Sequence, residues 1–305
     1  MQQWLMDYQV WCRLGFFVVI FALFATWESL HSWRPWLVSR KQRWAKHLSL
    51  AFIGKVIVKL FFPLLGLGFA FEIQKRGMGL LNQTTLPYPL IILLSILGLD
   101  FVLYLQHRVL HKFKWLWRLH RVHHMDKTLD ISTAVRFHPL EELVTMIAKT
   151  IGIAMLGIPV LAVFIYELLL KTALLFAHVN VRLPPKIDKK LRVVLVTPGM
   201  HRIHHSDTPK ETNSNFGFCF SIWDKLLGTY VSAALTTERK LVIGLEEYQN
   251  PKYQTLQNML LVPFNFKFLK VWPKKPQKIK LNVTDESLPH GYFEGESDEN
   301  NRHST

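Results

Sequence analysis

LVTMIAKTIGIAMLGIPVLAVFIYELLLKTALLFAH (residues 143–178) is too long for one membrane crossing and is interrupted by GIP at 157–159. About 20 apolar residues in a helix already span a hydrocarbon core of about 30 Å. Proline inside a helix removes a hydrogen bond and marks a bend or a stop. The stretch therefore predicts a helical hairpin that descends to Pro159 and returns. Residue 179 then emerges on the side where residue 142 entered.

Working outward, three further apolar runs precede the hairpin, at about Trp11–Trp27, 48–71 and 86–105. Each is long enough to cross as a helix. Lys55 and Lys59, one turn apart in the second run, are predicted to snorkel. The opening MQQWLMDYQVWCR has no basic leader region, and the run after it leads into ESLHSWRPW rather than a small-residue cleavage site. The first run is therefore predicted to be retained as a membrane helix.

Basic residues set the expected orientation. The 28–47 loop carries Arg34, Arg40, Lys41, Arg43 and Lys46, whereas the 73–85 loop carries only Lys75 and Arg76. Arg108, Lys112, Lys114, Arg118 and Arg121 follow the third run. The positive-inside rule places the 28–47 loop and residues 106–142 in the cytoplasm, and the hairpin returns residues 179 onward to the same face. The fold class read from the sequence is thus an all-α integral membrane protein, with three transmembrane helices, a Pro-broken helical hairpin and a cytoplasmic helical cap.

Composition agrees with that class. Half of the 305 residues are hydrophobic, mean hydropathy is +0.14 and net charge is +15. Long apolar runs beside that charge argue against a soluble nucleic-acid binder. Two cysteines cannot build a disulfide framework or a Cys-rich zinc site, and Cys12 reads as a small buried hydrophobe. The expected organisation is N-terminal transmembrane helices over 1–94, a catalytic region over 95–232, a C-terminal extension over 233–272 and a disordered acidic tail over 273–305. The basic stretch KVWPKKPQKIK (270–280) suits contact with anionic headgroups.

The cap carries the chemistry. HRVHH at 120–124 recurs as HRIHH at 201–205, although only 14 of the 305 residues are histidine. A given HxxHH pattern would arise by chance in roughly 3% of such chains, and two copies far less often. His107 and His111 in HRVLH are spaced i, i+4, and each HRxHH places its rings at i, i+3 and i+4, so each set shares one helical face. Packing eight imidazoles together without a metal costs solvation and invites repulsion on protonation. With metal, each neutral ring supplies a lone pair, and so many rings imply two ions. Imidazole suits zinc, copper, iron and nickel alike, so ligand type alone leaves the metal open. His178 in AHVN ends the hairpin, while His138 in RFHP is as readily a hydrogen-bonded core residue as a ligand. His31, His47, His290 and His303 are assigned no ligand role.

Asp100 is an acid inside an apolar helix, which makes it a functional candidate. Residues 100, 104, 107 and 111 fall on one stripe, so Asp100 and Tyr104 are expected to point where His107 and His111 point. A carboxylate accepting an imidazole N–H would orient the ring and raise its basicity. Glu167 and Lys171 are expected to neutralise each other as an i, i+4 pair. Asn180 suits a hydrogen bond near the site and, equally well, a helix-end cap, and Asp224 in WDKLLGT is expected to hold a local turn.

DFVLYLQHRVLH (100–111), HRVHH, RFHP (136–139), AHVN (177–180), TPGMHRIHHS (197–206) and NFGFCFSIWDKLLGTY (215–230) resemble, in order and spacing, the motifs of the fatty acid hydroxylase/sterol desaturase superfamily. These are integral-membrane, histidine-rich di-iron oxygenases. The resemblance covers about 95–232 and implies O2-dependent hydroxylation or desaturation of a lipid such as a sterol, fatty acyl chain, alkylglycerol or carotenoid-like molecule. It implies two iron ions, replaceable by zinc on purification, held by His107, His111, His120, His123, His124, His178, His201, His204 and His205. His138 matches by position. Some relatives carry a further histidine one turn before His178, where this chain has Leu174.

The sequence lacks GxGxxG, a CxxC series and the HPGG of a fused cytochrome b5. A separate electron donor, cytochrome b5-like or ferredoxin-like, is therefore expected. Two other readings compete. A zinc-dependent membrane hydrolase would need a general-base glutamate, and neither HExxH nor HxxEH occurs. A non-enzymatic metal carrier would spread its ligands along a path through the membrane.

Overall fold

The computed structural model describes residues 2–62, 66–237 and 239–265. The expectations for 270–280 and for the 273–305 tail, with His290 and His303, lie outside the described residues. Among the described residues there is no β-strand, only isolated bridges such as Ser32 to Val181 and Leu195 to Phe220.

The first helices are α1 (Gln2–Leu30), α2 (Arg40–Phe61), α3 (Leu67–Lys75) and α4 (Tyr88–Lys112). Next come α5 (Lys114–His124), α6 (Pro139–Leu156) and α7 (Val160–His178), then α8 (Pro185–Leu191), α9 (Pro198–His204), α10 (Pro209–Thr212), α11 (Ile222–Leu226) and α12 (Leu256–Leu261). Among the described residues, three segments are long and apolar enough to cross a membrane: Asp7–Leu30, Tyr88–Lys112 and Val160–His178. Val19, Leu23, Leu60 and Met155 are more than half exposed, as side chains facing lipid would be.

The 48–71 run differs from its expectation of a single crossing. It is divided between α2 and α3, because Pro63 has no N–H to continue the ladder. α2 starts earlier than the apolar run, so its first turns carry Arg40, Lys41, Arg43 and Lys46. Lys55 reaches Glu142 of α6 at 2.6 Å with its side chain still two-thirds exposed.

The hairpin forms as the sequence predicts. α6 ends on Gly157 in the left-handed region (φ 69°), and Pro159 caps the start of α7. Its tip packs against the 77–83 loop so closely that a Cβ on Gly79 would overlap the backbone of Gly157. The tip and that loop therefore share one end of the bundle, and the C-terminal ends of α4 and α7 reach the other. Leu99, Leu103, Val163, Tyr166 and Leu170 pack α4 against α7 beneath that far end.

Glu167 forms short ion pairs across helices in addition to the charge of its i, i+4 neighbour Lys171. It pairs with Arg13 of α1 at 2.6 Å and Lys149 of α6 at 3.6 Å, while the Lys171 ammonium lies over the Phe17 ring. Cys12 is half-buried and Cys219 buried, both unpaired with each other.

Candidate metal centre

Nine buried histidines converge where α4, α5, α7 and α9 end. His107, His111, His120, His124 and His204 form one group, and His123, His178, His201 and His205 form the other. Within each group one ring nitrogen per residue lies within 4.8 Å of every other. The groups adjoin, with the His124 and His205 rings stacked at 4.5 Å.

The repeated motif now has a geometric meaning. In HRVHH the first and fifth residues, His120 and His124, enter the first group while His123 enters the second. In HRIHH the assignment is reversed: His201 and His205 enter the second group and His204 the first. Residues i and i+4 nearly eclipse on a helix, whereas successive residues diverge by about 100°. One short helix can thus serve two neighbouring sites, and the two copies contribute to both, with His107 and His111 of α4 completing the first group and His178 of α7 the second. α9 is started by Thr197, whose hydroxyl accepts from Met200 N, with Pro198 in its first turn.

Backbone carbonyls fix three rings. His107 Nδ1 donates to Phe216 O (2.8 Å), His178 Nδ1 to Leu174 O (2.7 Å) and His204 Nδ1 to Ser214 O (2.7 Å). A carbonyl only accepts, so each of these rings, when neutral, has a bare lone pair on Nε2. His107 Nε2 faces His120 Nε2 at 2.9 Å, and His178 Nε2 faces His123 and His201 Nε2 at 3.1 and 3.0 Å. His204 Nε2 is buried without a hydrogen-bond partner among the described residues. Converging lone pairs at this spacing fit a cation between them. The residues present therefore suit a pair of imidazole-bound metals.

Electrostatics favour the neutral, ligating form. Burial first, then repulsion among neighbouring rings, pushes His120, His123, His124, His201 and His205 well below the usual histidine range. His120 Nδ1 meets Glu141 Oε1 at 2.6 Å. Burial and the adjacent Glu142 push the Glu141 carboxyl up, a shift that a cation behind His120 would oppose.

Asp100 does not reach a histidine ring. Its Oδ1 accepts from Tyr166 Oη (3.0 Å) and Cys219 N (3.2 Å), and its Oδ2 from Phe220 N (3.2 Å) and Trp223 Nε1 (2.9 Å). The carboxylate therefore ties the 216–223 loop to α4 and α7, and that loop supplies the Phe216 carbonyl to His107. Asp224 holds the same turn, accepting from Phe216 N, Gly217 N and Thr229 Oγ1. His138 stands outside both groups. Its Nδ1 caps α6 by accepting from Leu140 N (3.2 Å), and its Nε2 lies 3.3 Å from Leu260 O.

A second buried network, absent from the sequence reading, braces the centre from behind. Arg43 grips Asp126 (2.6 and 2.8 Å) and Asp130 (3.0 Å), and Arg136 donates to Val122 O and contacts His47. Burial alone would raise the Asp126 carboxyl, but Arg43 and Arg136 together hold it below the usual carboxylate range. Glu28 Oε2 accepts from Ile131 N and Asn180 N, both at 2.9 Å. Asn180 in turn clamps the Arg34 backbone with its amide. The ends of α1, α2, α5 and α7 are thereby locked together one or two residues from His123, His124 and His178. The signal available in sequence was the density of Asp, Arg and Glu in segments flanking the histidine motifs.

Residues 92–229 match the fatty acid hydroxylase family model. The ornithine lipid hydroxylase OlsE of Rhizobium tropici is 35% identical over 140 residues, which cover 46% of this chain and 41% of that protein. The alkylglycerol monooxygenase of Caenorhabditis elegans is 28% identical over 210 residues, covering 64% of this chain and 38% of that protein. The human alkylglycerol monooxygenase is 30% identical over 151 residues, covering 50% and 32%. The matches thus span less than half the length of these relatives. No solved structure matches the chain.

Proposed function

We propose, from the match of residues 92–229 to the fatty acid hydroxylase family model, that the two histidine groups hold two iron ions and that the protein oxidises a lipid within the bilayer. The observation that carries this reading is the approach of Nε2 atoms to 2.9–3.1 Å in the pairs His107–His120 and His178–His123, with the Nδ1 of His107, His120 and His178 already engaged elsewhere. The ligands are His107, His111, His120, His124 and His204 for one ion, and His123, His178, His201 and His205 for the other. His138, spent on capping α6, is left out.

Iron held there would supply the redox chemistry that lets O2 attack an unactivated C–H bond. The chain's own residues bind, orient and shield. The Phe216, Leu174 and Ser214 carbonyls fix the tautomers of their rings, and Glu141 orients His120 and raises its basicity. Each of the nine rings is at most 3% exposed, so the site excludes bulk water. A lipid substrate, O2 and a separate electron-donor protein are the partners this reading requires. Its ornithine-lipid and alkylglycerol relatives support a lipid with a polar head. The basic residues of the 28–47 and 106–142 segments support a site on the cytoplasmic face.

Zinc-dependent hydrolysis fits less well, because the acid beside the centre, Glu141, is engaged behind a ring instead of standing free as a base. A carrier fits less well too, because both groups adjoin at one end of the bundle. Comparing the lipids of cells with and without the protein, alongside its iron content and O2 uptake, tests the proposal. Iron-free protein that hydrolyses lipid without consuming O2 would overturn it.

A further inference from the structure

The cap is not uniformly polar. Val193, Val194, Leu226 and Leu227 are 63%, 50%, 71% and 42% exposed, and Ile187 of α8 is 49% exposed. Hydrogen bonds join the segments that carry them. Ser221 N donates to Val194 O, Lys225 Nζ donates to Val193 O at 2.9 Å, and Leu195 bridges to Phe220. Val193, Val194, Leu226 and Leu227 thus project from one tied pair of segments.

Its depth is set by Asp100. Phe220 N and Trp223 Nε1 bind that carboxylate directly, and Val196 N donates to Cys219 O beside it. Asp100 lies seven residues before His107 on α4, an apolar helix long enough to cross the membrane. At 1.5 Å per residue it is about 10 Å from the metal centre toward the middle of the span. The apolar residues of 193–194 and 226–227 are therefore joined to α4 at a level below its histidines, and α4 itself exposes Leu94 and Leu105.

Charge frames this face. α8 exposes Lys186, Lys189 and Lys190, while its one acid, Asp188, pairs with Arg192 at 2.6 Å. Lysines bordering exposed apolar side chains suit anionic headgroups above an acyl layer. We infer that Ile187, Val193, Val194, Leu226 and Leu227 are immersed in the bilayer interface, with Lys186, Lys189 and Lys190 on lipid phosphates. The cap is then a second membrane anchor that sinks one edge of the metal centre into the leaflet. This inference needs neither iron nor turnover.

The test uses the full chain with Cys12→Ser, because Cys219 is buried. Val194→Cys, Leu226→Cys and Lys240→Cys are each labelled with an environment-sensitive fluorophore. Lys240 is an exposed residue beside Leu241, whose carbonyl accepts from Arg34 in the loop beyond α1. The proteins are reconstituted in phosphatidylcholine vesicles containing lipid spin-labelled near the headgroup. Labels at 194 and 226 should be strongly quenched and the label at 240 should not. Adding phosphatidylserine should deepen quenching at 194, and Lys186→Gln/Lys189→Gln/Lys190→Gln should abolish that increment. Equal, weak quenching at all three sites would overturn the inference. So would protection of 194 and 226 that appears only when two copies crosslink, since protein would then cover the face. A missing phosphatidylserine response would overturn the headgroup contact.

Discussion

His120 Nδ1 lies 2.6 Å from the Glu141 carboxylate, which joins the first HRxHH motif to the first turn of the hairpin's descending arm. The ring carries two demands at once: its Nε2 sits among the first histidine group, and its Nδ1 is held from outside by charge. Glu141→Gln keeps the shape and an acceptor but removes the charge. Activity should fall by about 10–100-fold with most of the metal retained, the usual effect of altering a group behind a ligand. Iron content measured beside turnover separates this from simple unfolding.

Asp100→Asn should act on the loop instead of the metal. One amide oxygen replaces two carboxylate oxygens that receive four donors, and the new N–H₂ faces donors in turn. Each buried donor left unmatched costs about 1–3 kcal/mol. A lowered unfolding temperature and a changed Trp223 emission should precede any loss of iron. An unaltered melting temperature would mean that the carboxylate does not hold the loop.

His138→Ala tests the histidine outside both groups. It removes a cap worth about 0.5–2 kcal/mol and should leave metal content unchanged, whereas His178→Ala should lower it. Metal analysis of the two variants, purified side by side, gives the comparison.

Topology is open to labelling. Thr85 and Lys210 are both exposed. With the metal centre in the cytoplasm, an impermeant reagent added outside intact cells should modify Thr85→Cys and spare Lys210→Cys. The reverse pattern would place the site on the other face, and labelling of both would break the hairpin.

The hairpin and the HRxHH repeat were legible because each rests on local chemistry: a proline-broken apolar run, and ring spacing on a helix. The 48–71 run was less so, since composition reveals apolar length while Pro63 and the basic turns of α2 decide where helices stop. Asp100 shares a helical stripe with His107, yet a stripe says nothing of what packs on it. At Asp100 that neighbour is a loop 116 to 123 residues later in the chain, and no periodicity carries such a contact. Glu141 was hidden differently, because an acid in a helix's first turn is already explained by the helix dipole.

The central claim is that two adjoining sites of five and four histidines bind metal together. Its most direct test is iron per chain, by elemental mass spectrometry, in protein purified in mild detergent and scored for O2-dependent lipid oxidation. The account predicts about two irons per chain in active protein, with less iron and no turnover in both His120→Ala and His201→Ala. Active protein carrying a single metal per chain, or full iron and turnover in either variant, would contradict it.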